Sequence, residues 1–140
     1  MVAGTSGPGF DLILARYHPD GSLDASFGAG GIVIVGESPG DFSRRALLLQ
    51  PDRKLVAADG RQLFRFNPDG TLDTSFGDGG RVGAEFGGPG SLQALVLQPD
   101  GKLVAAGGTV DFLLTFQPRR EPRYELRHRR PRGDRFRKAQ

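Results

Sequence analysis

The chain has 140 residues, enough for one domain with a buried core, and contains 22 glycines, 10 prolines and no cysteine. The absence of cysteine excludes disulfides, thiolate metal sites and cysteine nucleophiles, and no apolar run approaches the roughly 20 residues of a membrane-spanning helix. The formal charge of +3 divides into −4 for residues 1–118 and +7 for residues 119–140, so a mildly acidic body carries a basic tail. Short apolar runs separated by glycine and proline favour an all-β fold with many turns.

Two segments of the chain occur twice. The sequence RYHPDGSLDASFGAGGIV at 16–33 recurs as RFNPDGTLDTSFGDGGRV at 65–82, which is 49 residues further on. The sequence ALLLQPDRKLVAADG at 46–60 recurs as ALVLQPDGKLVAAGG at 94–108, which is 48 residues further on. The chain is therefore built from a tandem unit of just under 50 residues.

The first residues fall inside such a unit. Met1–Gly4 matches Leu103–Ala106, and Phe10–Tyr17 matches the strand that ends at Phe66. The opening MVAGTSGPGF has neither a basic start nor an apolar segment, so the sequence predicts no signal peptide.

Each unit supplies four strand candidates. The first is continuously apolar, as in a strand buried on both faces, and the third alternates between its two faces. In the complete unit the candidates are Ala46–Gln50, Lys54–Ala58, Leu63–Phe66 and Thr71–Phe76. The following unit offers Ala94–Gln98, Lys102–Ala106 and Leu113–Phe116.

The turns have their own signatures. In Pro51-Asp52-Arg53 and Pro99-Asp100-Gly101, proline presets φ, aspartate caps the turn and glycine takes the left-handed position of a bulged hairpin. Arg53 occupies that glycine position, at an expected cost of roughly 1 kcal/mol of backbone strain. The runs GAGGIV, GDGGRV and GGPG have no Walker A lysine and open no helix, so we interpret them as tight connections between units, not as phosphate loops.

Four hairpin-linked antiparallel strands per unit predict a β-propeller blade; a β-solenoid would use shorter repeats and fewer hairpins. We therefore predict an all-β chain: a partial β-propeller of four-stranded antiparallel blades with a disordered basic C-terminal tail. Residues 1–35 form the second half of a truncated blade, 36–86 a complete blade with its exit loop, 87–117 an incomplete blade of three strands, and 118–140 the Arg/Pro-rich tail.

The alternation of LQPDGKLVAAG with RFNPDGTLDTSFGDGGRV resembles the delta-sixty tandem repeat over residues 1–117, and the paired PDG hairpins are more loosely similar to NHL-type blades. This resemblance implies arrays of propeller-like blades in large bacterial proteins, often exported or attached to the cell surface. It implies no common catalytic residues.

The tail departs from the repeat immediately after Pro118. One choice of codons for 119–140, read with a single base removed, encodes DGSLDTSFGTGGRVVTDFGKR, which is the expected continuation of the unit. We therefore hypothesise that the tail is a frame-shifted remnant of the next repeat. Its arginines and prolines, with few apolar residues, favour disorder.

Few residues suggest chemistry. His18 precedes a turn proline and is interpreted as a surface turn residue, while His128 lies in the tail; no nucleophile elbow or histidine metal pattern accompanies them. The repeated acids Asp20, Asp24, Asp69 and Asp73 could form a weak Ca²⁺ site, but their spacing is not that of an EF-hand and we interpret them as turn caps. Arg16 and Arg65, on the outward-alternating face, are expected to be solvated or paired with acids.

We predict no catalytic, cofactor-binding or metal-ligating residues, and a non-catalytic structural or binding scaffold within a larger bacterial propeller. Its full propeller would bind a protein or a carbohydrate, and its open blade edges would favour self-association. Two alternatives stay open: part of a propeller-type lactonase or lyase, or a polyanion or nucleic-acid binder acting through the tail, where Tyr124 and Phe136 lie among arginines.

Overall fold

The computed structural model describes residues 1–6, 11–36, 45–83, 91–107, 112–116 and 127–128. These residues form eleven strands, and all strand pairings are antiparallel. The strands are β1 (Val2–Ser6), β2 (Asp11–Ala15), β3 (Ile32–Val35), β4 (Arg45–Leu49), β5 (Leu55–Asp59), β6 (Gln62–Phe66), β7 (Arg81–Gly83), β8 (Leu92–Leu97), β9 (Leu103–Gly107), β10 (Phe112–Phe116) and β11 (Arg127–His128).

The strands form three sheets that follow one another along the chain. The first has the order β1-β2-β3, the middle one β4-β5-β6-β7, and the third β11-β10-β9-β8. Within each sheet, strands that follow one another in the chain pair with each other. Short hairpins join β4 to β5, β5 to β6 and β8 to β9, whereas longer segments with turns precede β3 and β7. No helix among the described residues is long and apolar enough to cross a membrane.

The fourth strand of the unit is not the predicted one. Thr71–Phe76 contributes only an isolated bridge between Leu72 and Phe66, and the fourth strand is Arg81–Gly83, beyond the Ser-Phe-Gly sequence. The reason is local hydrogen bonding: the Asp73 carboxylate accepts bonds from Ser75, and the N–H of Phe76 donates to the Asp73 carbonyl at 3.0 Å. A backbone bonded to itself in turns leaves few groups for a sheet ladder.

The glycine-rich runs also differ from their predicted place. Gly77, Gly79 and Gly80 have φ values of 58°, 57° and 93°, and they carry the chain into β7 of the same sheet. They therefore make a turn inside the unit, not a connection between units. The GGPG run at 87–90 lies outside the described residues.

The middle sheet is packed on both faces because alternate side chains of a strand point to opposite sides. Leu55 and Ala57 of β5 pack towards the first sheet, whereas Val56 and Ala58 pack towards the third. The core thus consists of two clusters, one in each interface between sheets. The first cluster is Leu12, Leu14, Phe27, Val35, Leu55, Ala57, Phe64 and Phe66. The second is Val56, Ala58, Leu63, Phe76, Val82, Leu92, Leu103 and Ala105.

The third sheet ends on two residues of the tail. His128 pairs with Phe112 and Arg127 with Leu113, so β11 takes the sheet position that β7 has in the middle sheet. The predicted disorder of residues 118–140 otherwise lies outside the described residues.

Candidate functional site

Arg65 stands at the centre of a buried polar cluster in the middle sheet. Its Nε lies 2.7 Å from Asp73 Oδ2, its Nη2 lies 3.2 Å from Ser75 Oγ, and its guanidinium carbon lies 4.5 Å from the centre of the Phe76 ring. Lys54, from the neighbouring strand's hairpin, places Nζ 2.7 Å from the same Asp73 oxygen. We call these residues the Arg65 cluster. Its ion pairs and cation–π contact fix the turn after β6 against the sheet.

The first sheet contains the same arrangement, which we call the Arg16 cluster. Arg16 Nε lies 2.7 Å from Asp24 Oδ2, Nη2 lies 2.8 Å from Ser26 Oγ, and the guanidinium lies 4.7 Å from the Phe27 ring centre. Arg16 Nη1 also donates to the carbonyl of Pro68. This last bond reaches the middle sheet, so the cluster joins two neighbouring sheets.

A backbone hydrogen bond also joins the first sheet to the middle sheet. The N–H of Gly28 donates to the Asp69 carbonyl at 2.7 Å. Gly70 lies directly against it, because a Cβ at Gly70 would come within 2.8 Å of the Gly28 nitrogen. The turn at 67–71 is therefore part of the contact between sheets as well as a hairpin loop.

The carboxylates of both clusters stay ionised well into the acid range. At Asp73, burial alone would raise the pKa, but hydrogen bonds from Lys54 and Ser75 and the charge of Arg65 outweigh it and hold the pKa below its ordinary value. At Asp24, the hydrogen bond from Ser26 is the largest cause, and with Arg16 it lowers the pKa to about 2. Neither group is tuned for proton transfer near neutral pH.

The remaining acids of the motif cap turns, as predicted. Asp20 Oδ1 accepts bonds from the Ser22 N–H at 2.9 Å and the Ser22 hydroxyl at 2.6 Å, and Asp69 does the same with Thr71 at 2.9 and 2.7 Å. The hydrogen bonds from Ser22 and Thr71 lower the pKa values of Asp20 and Asp69. Asp52 caps the first hairpin in the same way, through the Lys54 N–H at 3.1 Å.

A groove of about 550 Å³ lies between the first and middle sheets. Its walls combine apolar and polar side chains: Met1, Phe27, Leu49, Leu55 and Pro68 with Arg16, Ser26, Arg53 and Asp69. The volume is in the range of small-molecule pockets, roughly 300–1,000 Å³. Arg53 on its rim has φ 64°, whereas its equivalent Gly101 has φ 81°, so the predicted left-handed arginine is confirmed.

The middle sheet also contains a buried ion pair that no sequence pattern indicated. Arg45 Nε lies 2.9 Å from Asp59 Oδ1, and the two side chains are only 15% and 2% exposed. Asp59 Oδ2 and the side-chain amide oxygen of Gln62 are buried without a hydrogen-bond partner. The pair is specific to one unit, since glycine (Gly107) takes the place of Asp59 in the third sheet. A comparison of the units position by position would have found this difference.

The residues considered for chemistry in the sequence do not converge on one point among the described residues. His18 lies at the exposed turn with its side chain 51% exposed, and its Nε2 is 3.8 Å from Asp24 Oδ1. Arg16 and Arg65 pair with acids, which confirms one of the two expectations for them. Tyr124 and Phe136 lie outside the described residues. Within the part of the chain that the structure describes, no group of three or more histidines, cysteines or acids could hold a metal ion.

Stacked antiparallel sheets with repeated turn clusters define the class: the chain is all-β and forms part of a β-propeller. Residues 1–27 and 50–76 match a family described as a domain of unknown function (DUF5122) beta-propeller. The two matched segments both end at the phenylalanine of the Ser-Phe-Gly sequence, Phe27 and Phe76, one repeat apart. No curated protein and no solved structure matches the chain.

Proposed function

We propose that the protein is a non-catalytic scaffold, a set of blades from a larger bacterial propeller of the delta-sixty repeat type. The observation that carries the proposal is the identical use of polar side chains in successive units. The same arginine, aspartate, serine and phenylalanine make the same contacts in the Arg16 and Arg65 clusters. Side chains that make the same contacts in every unit stabilise the fold of each blade, whereas a catalytic site usually occurs once per propeller.

The number of blades and the exposed apolar residues support the larger assembly. Closed propellers typically contain about 4–8 blades, and three sheets are present here. Ile34 on the first sheet and Val96 on the third are 63% and 58% exposed. Further blades stacked on these faces would bury them, as neighbouring repeats do in other tandem arrays.

A propeller-type lactonase or lyase is the competing function, and Asp59 is the residue that would serve it best. Asp59 is buried, acidic and different between units, which is what an enzyme site would require of a blade. Its pairing with Arg45 supports a structural role instead.

Turnover assays separate the two functions. The full chain is incubated with a panel of lactones and with uronate polymers, in the presence of Ca²⁺ and in the presence of a chelator. We expect product formation equal to the blank in both, and an unfolding temperature that Ca²⁺ does not shift. Turnover that Asp59→Asn abolishes, while Asp52→Asn at the exposed turn retains it, would overturn the scaffold.

A further inference from the structure

Strand β1 is paired on one side only, although its equivalents in the other two sheets are paired on both sides. β1 pairs with β2 through five residue pairs, from Val2 with Ala15 to Ser6 with Asp11, and no described strand pairs with its other side. In the middle sheet the corresponding strand β5 lies between β4 and β6, and in the third sheet β9 lies between β8 and β10. A strand edge with free N–H and C=O groups is a template for a further strand.

The space beside this edge has the properties of an unfilled strand position. Leu49 of β4 faces it with 65% of its surface exposed, and the groove of about 550 Å³ lies between Leu49, Met1 and Leu55. The other side of β4 shows the filled arrangement, because β8 lies against β4 there. Ala46, Leu48 and Leu95 then pack onto the second core cluster.

We propose that the edge of β1 binds the first strand of a further repeat unit, with the Arg-Ala-Leu-Leu-Leu-Gln pattern of residues 45–50. The other two sheets provide the reason for this occupant. Each has an apolar strand at this position, with Arg-Ala-Leu-Leu-Leu-Gln in the middle sheet and Gln-Ala-Leu-Val-Leu-Gln in the third, antiparallel to the equivalent of β1. The backbone of the incoming strand satisfies the open edge and its apolar side chains fill the groove.

The register of the bound strand follows from the pairings. Arg16 and Arg65 are equivalent, so Val2 opposite Ala15 corresponds to Ala57 opposite Phe64. Because Ala57 pairs with Leu47 in the middle sheet, the incoming residue equivalent to Leu47 lies opposite Val2. The residue equivalent to Ala46 then lies opposite Ala3, whose side chain packs onto the first core cluster.

This register determines which side chains of the incoming strand are buried. Residues directly opposite each other in an antiparallel pair lie on the same face of the sheet. The equivalents of Ala46 and Leu48 therefore point, with Ala3, towards β4 and Leu49. The equivalent of Leu47 points to the opposite face of the first sheet.

A peptide with the sequence of residues 44–52, RRALLLQPD, tests the proposal when a fluorescent label is attached and it is titrated with the full chain. We expect saturable one-to-one binding and slower hydrogen exchange at the amides of Val2–Ser6. A peptide with Leu48→Lys should bind at least about tenfold more weakly because it buries a charge against β4. The matched peptide with Leu47→Lys should bind like the parent, since that side chain points away from the groove.

Substitutions in the chain provide a second test of peptide binding. Leu49→Asp should weaken peptide binding, whereas Val96→Asp, a similarly exposed position on the outer face of the third sheet, should leave it unchanged. Equal binding by the two lysine peptides, or binding that Leu49→Asp leaves intact, would overturn the proposal, and so would the absence of binding. The inference rests on the proposed function, because its occupant is a further repeat unit of the larger propeller. The two fail separately, since absence of peptide binding overturns this inference and turnover overturns the scaffold.

Discussion

Arg65 and Asp73 meet at 2.7 Å in the middle sheet, and Arg16 and Asp24 meet at 2.7 Å one repeat earlier. The two pairs differ in burial and in what surrounds them. The side chains of Arg65 and Asp73 are 8% and 7% exposed, against 24% and 18% for Arg16 and Asp24. Lys54 adds a second cation to Asp73. The repeat thus provides an internal comparison of one ion pair in a more and a less buried setting.

The difference predicts unequal effects of the same substitution. Asp73→Asn should lower the free energy of unfolding by about 3 kcal/mol, because it leaves the Arg65 and Lys54 charges without their counter-charge in a buried position. Asp24→Asn, the matched control, should cause a smaller loss because water screens its partner better. Urea denaturation of both variants measures the difference. Equal losses would show that burial does not control the strength of the cluster.

Stability should fall in acid because of these carboxylates. The folded-state pKa of Asp24 is about 2, below its ordinary value of 3.8, and that of Asp73 is also lowered. A carboxylate with a depressed folded-state pKa stabilises the protein fully above its unfolded pKa and loses that contribution as the pH falls towards the folded value. Unfolding temperatures should therefore be constant down to about pH 5 and decrease between about pH 5 and pH 2.

The Asp73→Asn variant is the control for this pH effect. Its unfolding temperature should be lower than that of the parent at neutral pH. It should decrease less steeply in acid, because one of the two carboxylates with a lowered pKa is gone. If the unfolding temperature of Asp73→Asn falls as steeply with pH as that of the parent, other groups cause the acid sensitivity.

The turn before β7 contains two glycines with the same backbone conformation and different surroundings. Gly77 and Gly79 have φ values of 58° and 57°. A Cβ at Gly77 would lie 2.1 Å from the Arg81 carbonyl oxygen, whereas a Cβ at Gly79 would meet nothing within 4 Å. Gly79→Ala should therefore cost about 1 kcal/mol from backbone strain alone, and Gly77→Ala should cost clearly more because the chain must also move. Thermal unfolding of both variants distinguishes strain from close approach, and equal losses would contradict the predicted clash.

Arg53 and Gly101 occupy equivalent turn positions with positive φ, so a side chain can be removed at one and added at the other. Arg53→Gly should raise the free energy of unfolding by up to about 1 kcal/mol, since glycine adopts its φ of 64° without strain. Gly101→Ala should lower it by a similar amount, because a Cβ there meets nothing and only the backbone is affected. Chemical denaturation measures both changes. A loss of stability in Arg53→Gly would show that the arginine side chain contributes more than its backbone costs.

The repeat made most of the fold predictable, because segments that occur twice must pack in the same way. The first three strands of the unit were placed within one or two residues of β4, β5 and β6. The predicted fourth strand, Thr71–Phe76, precedes the observed one because Asp69 and Asp73 accept hydrogen bonds from the backbone N–H groups of Thr71 and Ser75, which holds this segment in turns. A hydrogen bond between neighbours in sequence leaves no trace in hydrophobic periodicity.

The register of β1 is a second feature that the sequence match does not predict correctly. The sequence match makes Met1 equivalent to Leu103, and therefore Val2 equivalent to Val56. The observed pairing shifts β1 by one residue and makes Val2 equivalent to Ala57. Residues 7–10 separate β1 from β2 in the chain, whereas only Gly60 and Arg61 separate β5 from β6. Sequence similarity alone does not fix the length of such a connection. A shift of one residue exchanges the two faces of a strand, which decides whether Ala3 is packed against the core.

The candidate site was harder to predict than the fold. The acids were interpreted correctly as turn caps because their spacing from serine and threonine is local. The link from Arg16 to Pro68 joins positions 52 residues apart, and only the stacking of the first and middle sheets brings them together. The link between Lys54 and Asp73 joins positions 19 residues apart, and the pairing of β5 with β6 inside the middle sheet brings these together.

The tail offers the last prediction. If residues 119–140 derive from a repeat read in the wrong frame, a chain that carries DGSLDTSFGTGGRVVTDFGKR after Pro118 should be more stable than the original. The restored segment supplies the Asp-capped turns of 69–76 and the Arg-Val strand that β7 provides in the middle sheet. Truncation after Gln117 is the control, because it removes the tail without restoring the unit. A higher unfolding temperature for the restored chain than for the truncated one is the expected result. Equal temperatures, or a gene sequence that does not give the repeat when one base is removed, would reject the frame-shift origin.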